Sequence, residues 1–200
     1  MSVRLAVRAA AAAFGASLIV VPAAVSGAAN LSAGAVVAFA SEAGARAFVQ
    51  SFYDWYTGRM LAASKSKSGK GWGFIDGIRG RPDSFSPELK RLLEEDYAAA
   101  RKCPSDVVGL DWDPFLETQD SPGAYRVGKV EKTAQGFRMS VDDMKARGVN
   151  NPVAQADVAF VGGHWMFVDF VEEPTDPKSR QGLVAILKGY ERSGEYKCKP

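Results

Sequence analysis

Histidine and cysteine are the scarce residues of this 200-residue chain, with one and two copies respectively. So few ligands exclude a structural zinc site built from those residue types. A single histidine, His164, also makes a serine or cysteine triad with a histidine base improbable. Acidic residues are absent from the first 40 positions, whose only charges are Arg4 and Arg8. Those two arginines account for the whole excess of 25 Lys+Arg over 23 Asp+Glu, so the body of the chain is charge-balanced. A balanced body argues against a general nucleic-acid binder, which draws its affinity from excess positive charge. A hydrophobic content of 46% rules out a disordered chain and fits one ordinary domain.

What is present begins with an export pattern over residues 1–40. A short basic start, Met1 to Arg8, leads into the alanine-rich apolar run Ala9 to Val21, which Pro22 breaks before a run of small residues. That order is the one of a secretory signal, with cleavage expected after Ala29 or Ala40. The uncharged stretch from Ala9 to Ser41 could instead stay as an anchor, but its Ala/Gly content and proline make a poor spanning helix. No cysteine stands near either cleavage point, so lipid modification there is excluded. Membrane contact is expected only through the uncleaved signal, and the mature protein is expected in the periplasm or the medium. Two cysteines in an exported chain, Cys103 and Cys198, read as one disulfide, worth about 4 kcal/mol in the chain-entropy model. Two unpaired thiols are the alternative.

Residues 41–200 read as a single α+β domain. Ser41 to Met60 is predicted as an amphipathic helix, with Phe48, Phe52, Trp55 and Tyr56 on one stripe and Glu42, Arg46, Gln50 and Asp54 on the other. Residues 62–83 read as a mobile basic loop rich in glycine and serine; its spacing is not that of a phosphate-binding loop. Ser86 is predicted to cap a second helix with Pro87 at its first position, ending near Lys102, with Leu89, Leu92, Leu93 and Tyr97 buried. Tyr125 to Lys132 and the alternating Phe137, Met139 and Val141 form a first hairpin, and Val153 to Val161 and His164 to Val171 a second, turned at Gly162-Gly163. Gly182 to Glu191 suits a short helix. The expected fold is a curved antiparallel sheet of about four strands packed on two or three helices.

Several polar groups stand where chemistry or recognition would need them. Asp111, Asp113 and Asp120 surround an aromatic segment and could converge on a cation or act as an acid/base pair; the favoured reading is that Asp113 before Pro114 caps a helical turn. The hairpin register sets Asp169 on the apolar face with Phe167, where it would need a partner or a raised pKa. Tyr53 and Tyr56 lie at one edge of the first helix, with hydroxyls that could point into a cleft or stay wet at the rim of the core. No residue set assigns a reaction, a metal or a cofactor.

The helix motif Phe52-Tyr53-x-Trp55-Tyr56, the Ser-Pro-Glu-Leu start of the second helix, and Asp111-x-Asp113-Pro114-Phe115-Leu116 with Gln119-Asp120 occur in one order. Together with the Trp165 strand and the segment Leu183 to Lys188, this set resembles the bacterial envelope family catalogued as domain of unknown function 3828, over about Ala47 to Lys188. The resemblance implies a cystatin-like or nuclear-transport-factor-2-like cone in an exported or lipid-anchored protein without an assigned activity. The chain departs from it in lacking a lipobox cysteine and in its basic Gly/Ser loop. The resulting expectation is a non-catalytic periplasmic or secreted binding module for an envelope protein or a small ligand, contacting it through the aromatic helix surface and Asp111 to Asp120. The alternatives are a small isomerase- or hydrolase-type enzyme using an Asp/Tyr pair, and a periplasmic inhibitor or immunity protein.

Overall fold

The computed structural model describes residues 40–66, 71–117, 123–144, 152–171 and 181–198. Helix α1 spans Glu42–Ser64, α2 Phe74–Gly80, α3 Pro87–Lys102 and α4 Leu183–Ser193, with a single 3-10 turn at Pro82–Ser84. Strands β1 (Tyr125–Lys132), β2 (Gly136–Asp143), β3 (Pro152–Val161) and β4 (His164–Val171) form one antiparallel sheet in the order β1-β2-β3-β4. The domain is therefore α+β, a curved meander packed on helices.

Local chemistry starts each helix. The Ser41 hydroxyl accepts the Gly44 N–H at 3.2 Å to open α1. Ser86 does the same for Leu89 at 3.3 Å, with Pro87 in the first position of α3, where its missing N–H costs nothing. α1 runs one turn beyond the predicted Met60. Its buried stripe is Ala45, Val49, Phe52, Tyr53, Tyr56 and Thr57, with Phe48 and Trp55 on the flanks. The opposite, polar stripe is partly engaged with the sheet. The Arg46 guanidinium donates to the Val127 and Gly128 carbonyls at 2.9 and 3.0 Å. The Gln50 amide donates to the Tyr125 carbonyl and accepts the Val127 N–H. A polar helix face can thus bind backbone as well as solvent.

The sheet's inner face carries Val127, Met139, Val141, Ala154, Ala156, Val158, Phe167 and Phe170 into one core with α1 and α3. Phe52 is at its centre, stacked on Tyr56 and meeting Phe85, Phe115 and Phe167 edge-on at centroid distances of 4.8–5.5 Å. Such geometries suit the aromatic quadrupole and add to the area term.

Two expectations need correction. The segment 62–83 is not one loop: Ala62 to Ser64 finish α1, and Phe74–Gly80 is a helix that buries Ile75, Gly77 and Ile78. Residues 67–70, in the middle of that segment, lie outside the described residues. Two of its glycines serve close approach: a Cβ on Gly77 would stand 2.6 Å from Tyr56 Cε2, and one on Gly80 2.8 Å from the Trp55 indole. The second correction concerns Asp169. Val158 pairs with Phe167 as expected, but Asp157 pairs with Asp169, so Val168 is an extra residue in β4. This bulge resets the alternation. Phe170, opposite Ala156, takes the inner face, and Asp169 goes to the outer face beside Asp157.

The Gly77 contact gives a direct test. Gly77→Ala is expected to destabilise the domain by about 1–3 kcal/mol, because the Tyr56 ring is fully buried and has nowhere to move. Gly73→Ala, with open space around its Cβ, is the control in urea denaturation. Equal midpoints for the two variants would refute the close packing of α2 on α1.

Candidate functional site

Tyr53 and Tyr56 lie on the inner face of α1, and the segment Asp113 to Leu116 comes up against them. The Tyr56 hydroxyl donates to Asp113 Oδ2 at 2.5 Å, and the Tyr53 hydroxyl donates to the Phe115 carbonyl at 2.8 Å. Both tyrosines are sealed from water. Burial, with the Asp113 carboxylate next to them, raises both phenol pKa values well above the ordinary tyrosine range. Two helix residues and one aspartate-proline turn thus form a single buried network.

Asp113 is fully occupied within it. Its Oδ1 accepts the Phe115 and Leu116 N–H groups at 2.9 and 3.2 Å, and its carbonyl accepts those of Leu116 and Glu117. This is the capping geometry that Asp113-Pro114 suggests. Burial nevertheless outweighs those donors and pushes its pKa up to about 6. Asp111 is exposed on the other side of Trp112, and Asp120 lies outside the described residues. The structure therefore brings Tyr53, Tyr56 and Asp113 together and leaves Asp111 apart from them.

Asp169 has a different task. The helix α4 starts at Gly182, which has no side chain to cap it. Asp169 Oδ1 reaches across from β4 and accepts the Val184 N–H at 2.9 Å, as well as its neighbour Phe170 N–H. A Cβ on Gly182 would collide with the Asp169 carboxylate, so the glycine makes room for a cap supplied by another element. Burial raises the Asp169 pKa, against the pull of those two N–H groups. On the same outer row, Arg138 holds Asp157 in a two-pronged ion pair at 2.6 Å.

Sequence reasoning missed Asp96. It is 1% exposed on the buried face of α3 and accepts the Leu110 N–H, fixing the chain beside Gly109, whose φ of +72° favours glycine. Burial pushes Asp96 up to about 6, partly countered by Leu110 and the Tyr196 hydroxyl. The signal was available, since Asp96 stands at helical spacing from Leu89, Leu92 and Leu93. Cys103 and Cys198 are joined in a disulfide at the end of the same helix.

Among the described residues, no three His, Cys, Asp or Glu side chains are grouped to hold a metal ion, and no helix is long and apolar enough to cross a membrane. Among the described residues, two open clefts lie away from the Tyr–Asp network. One, of about 580 Å³, is lined by Phe48, Phe160, Trp165, Asp83, Ser84 and His164, with Gly44 and Gly163. The other, of about 470 Å³, runs beside Trp112, Ala185, Ile186, Tyr190 and Arg192. Compared with family models, curated proteins and solved structures, the chain matches none.

Proposed function

We propose that this chain is an exported, non-catalytic binding module that recognises a small ligand or another envelope protein. The observation that carries the reading is the employment of its acids. Asp113 and Asp169, the two placed to act as a base, each spend Oδ1 on N–H groups that start helical turns, and Asp113 Oδ2 accepts the Tyr56 hydroxyl. The tyrosine hydroxyls beside Asp113 donate inward, and neither cleft has Asp113, Tyr53 or Tyr56 in its wall. Phe52, Tyr53 and Tyr56 of α1 are core, whereas Phe48 and Trp55 are only partly buried, so any recognition through this helix rests on those two flanking rings.

Export is supported by the signal-like start and by the disulfide, which oxidising compartments favour. Membership in the envelope family of domain of unknown function 3828 belongs to the same proposal. Its support is that the family-like helix motif and the aspartate-proline motif meet through Tyr53 and Tyr56.

The test has two readings. Expressed in a bacterium from its own first residue, the protein is expected in the periplasm or medium, starting at Asn30 or Ser41 and without free thiols. An intact, thiol-bearing chain in the cytoplasm would overturn export. Labelling with a water-soluble carbodiimide and glycinamide at pH 5 is expected to modify the exposed Asp111 and spare Asp113. Asp113 does have the raised pKa of an acid/base group, the one observation that favours the Asp/Tyr enzyme. Labelling of Asp113 as fast as Asp111 would therefore replace the binding module with that enzyme.

A further inference from the structure

We propose that the 580 Å³ cleft binds an organic monocation with an apolar body, an aryl- or alkylammonium. The inference rests on the binding-module reading above and names the site and ligand chemistry for it. Three aromatic side chains form the wall: Phe48 from α1, Phe160 from β3 and Trp165 from β4. Each packs against another aromatic ring. Phe48 lies 4.8 Å from the Phe167 ring, Phe160 5.2 Å from Trp165, and Trp165 5.8 Å from Phe137. A ring wall held this way needs little reordering on binding, which lowers the entropic cost of association.

The charge in the cleft is as specific as its wall. Asp83, in the 3-10 turn, is exposed at the rim and makes no hydrogen bond or ion pair among the described residues. Its turn is fixed by the Ser84 N–H on the Arg81 carbonyl and by Phe85 in the core. An unpaired carboxylate beside aromatic rings suits a cation twice, through direct attraction and through the negative ring faces. Among the described residues, no lysine or arginine stands in the lining to favour an anion. A purely apolar ligand would leave the carboxylate without a partner. The volume falls within the range that encloses a drug-sized molecule.

The experiment is a ¹H–¹⁵N titration of the disulfide-bonded protein with benzyltrimethylammonium, with benzyl alcohol as the neutral comparison and benzoate as the anionic one. Saturable shifts are expected at Gly44, His164 and the Trp165 indole N–H, with the cation about tenfold tighter than the alcohol. Asp83→Asn, a surface change that leaves the core untouched, should erase that tenfold preference while alcohol binding persists. Phe160→Ala should weaken both. The cleft beside Trp112, with Arg192 in its wall, should not respond to the cation and serves as an internal control. Equal affinities for cation and alcohol, or an unaffected Asp83→Asn, would overturn the proposal. Absence of any shift in the cleft would remove this site yet leave export and surface recognition standing, because those are read by fractionation and labelling.

Discussion

Cys103→Ser combined with Cys198→Ser lowers the melting temperature by roughly 10–20 °C, the largest effect expected of any change away from the core. The two cysteines are 95 residues apart, so the bridge closes a loop of more than half the domain. In the chain-entropy model that closure removes unfolded-state freedom worth about 4–5 kcal/mol. Beside the bridge, the carboxyl end is fastened by Leu183 and Leu187 in the core and by the Asp169 cap on Val184. The ion pairs between α3 and α4, Glu88 with Lys188 and Arg91 with Glu191, are solvent-exposed and contribute little. Cys103 itself is buried with Ala99, Val108 and Tyr196, so serine there also leaves a hydroxyl in an apolar patch. Calorimetry of the variant, and of the native protein with reductant, is the check. A fall of less than about 3 °C in both would mean that the bridge is dispensable. Hydrogen exchange should locate the loss first in α4.

Stability is also expected to increase as the pH is lowered from 7.5 to 5, the reverse of ordinary acid denaturation. Asp96 and Asp113 have folded pKa values pushed up from 3.8 to about 6 by burial. Between those limits the folded protein holds more protons than the unfolded chain, so stability falls as pH rises. Their contribution is complete below pH 3.8 and lost once pH has passed about 6. A two-unit shift is worth about 3 kcal/mol per group at most, and about half of it is realised between pH 7.5 and 5, so about 2–3 kcal/mol is expected for both together. That is roughly 5–10 °C in melting temperature. Asp96→Asn with Asp113→Asn should keep the backbone N–H acceptors while flattening the profile. A melting temperature that is level or lower at pH 5 in the native protein would contradict the burial of these carboxyls.

Strands and helix caps were legible because their signals are local. Ser86-Pro87 carries its own cap, and Gly162-Gly163 makes a two-residue turn with φ of +61° and +90°. The contacts between distant segments were harder to read. The bulge at Val168 could not be seen in an alternation that looks regular, although a charge on the inner face was itself a warning. Glycine was ambiguous in the same way: Gly77 and Gly80 look like flexibility and turn out to be room for Tyr56 and Trp55. Asp113 was legible as a cap, but the Tyr56 hydroxyl that joins it comes from 57 residues away. The cleft at Phe48, Phe160 and Trp165 draws on three separate elements, and no window of sequence contains it.

The bonds that Arg46 and Gln50 make to β1 bear on how this protein behaves when it is crowded. Fibres grow when an open strand edge offers its N–H and C=O groups to another chain. Along Tyr125 to Gly128 those groups are engaged by α1 side chains, and β4 is screened by Ser86 on the Phe167 carbonyl and by Gly182 beside Val171. Among the described residues, no helix side chain covers the far half of β1, where Lys129, Glu131 and Lys132 put charge on any incoming strand. Polymerisation by strand addition would have to begin there, against that charge, or strip a helix from the sheet first.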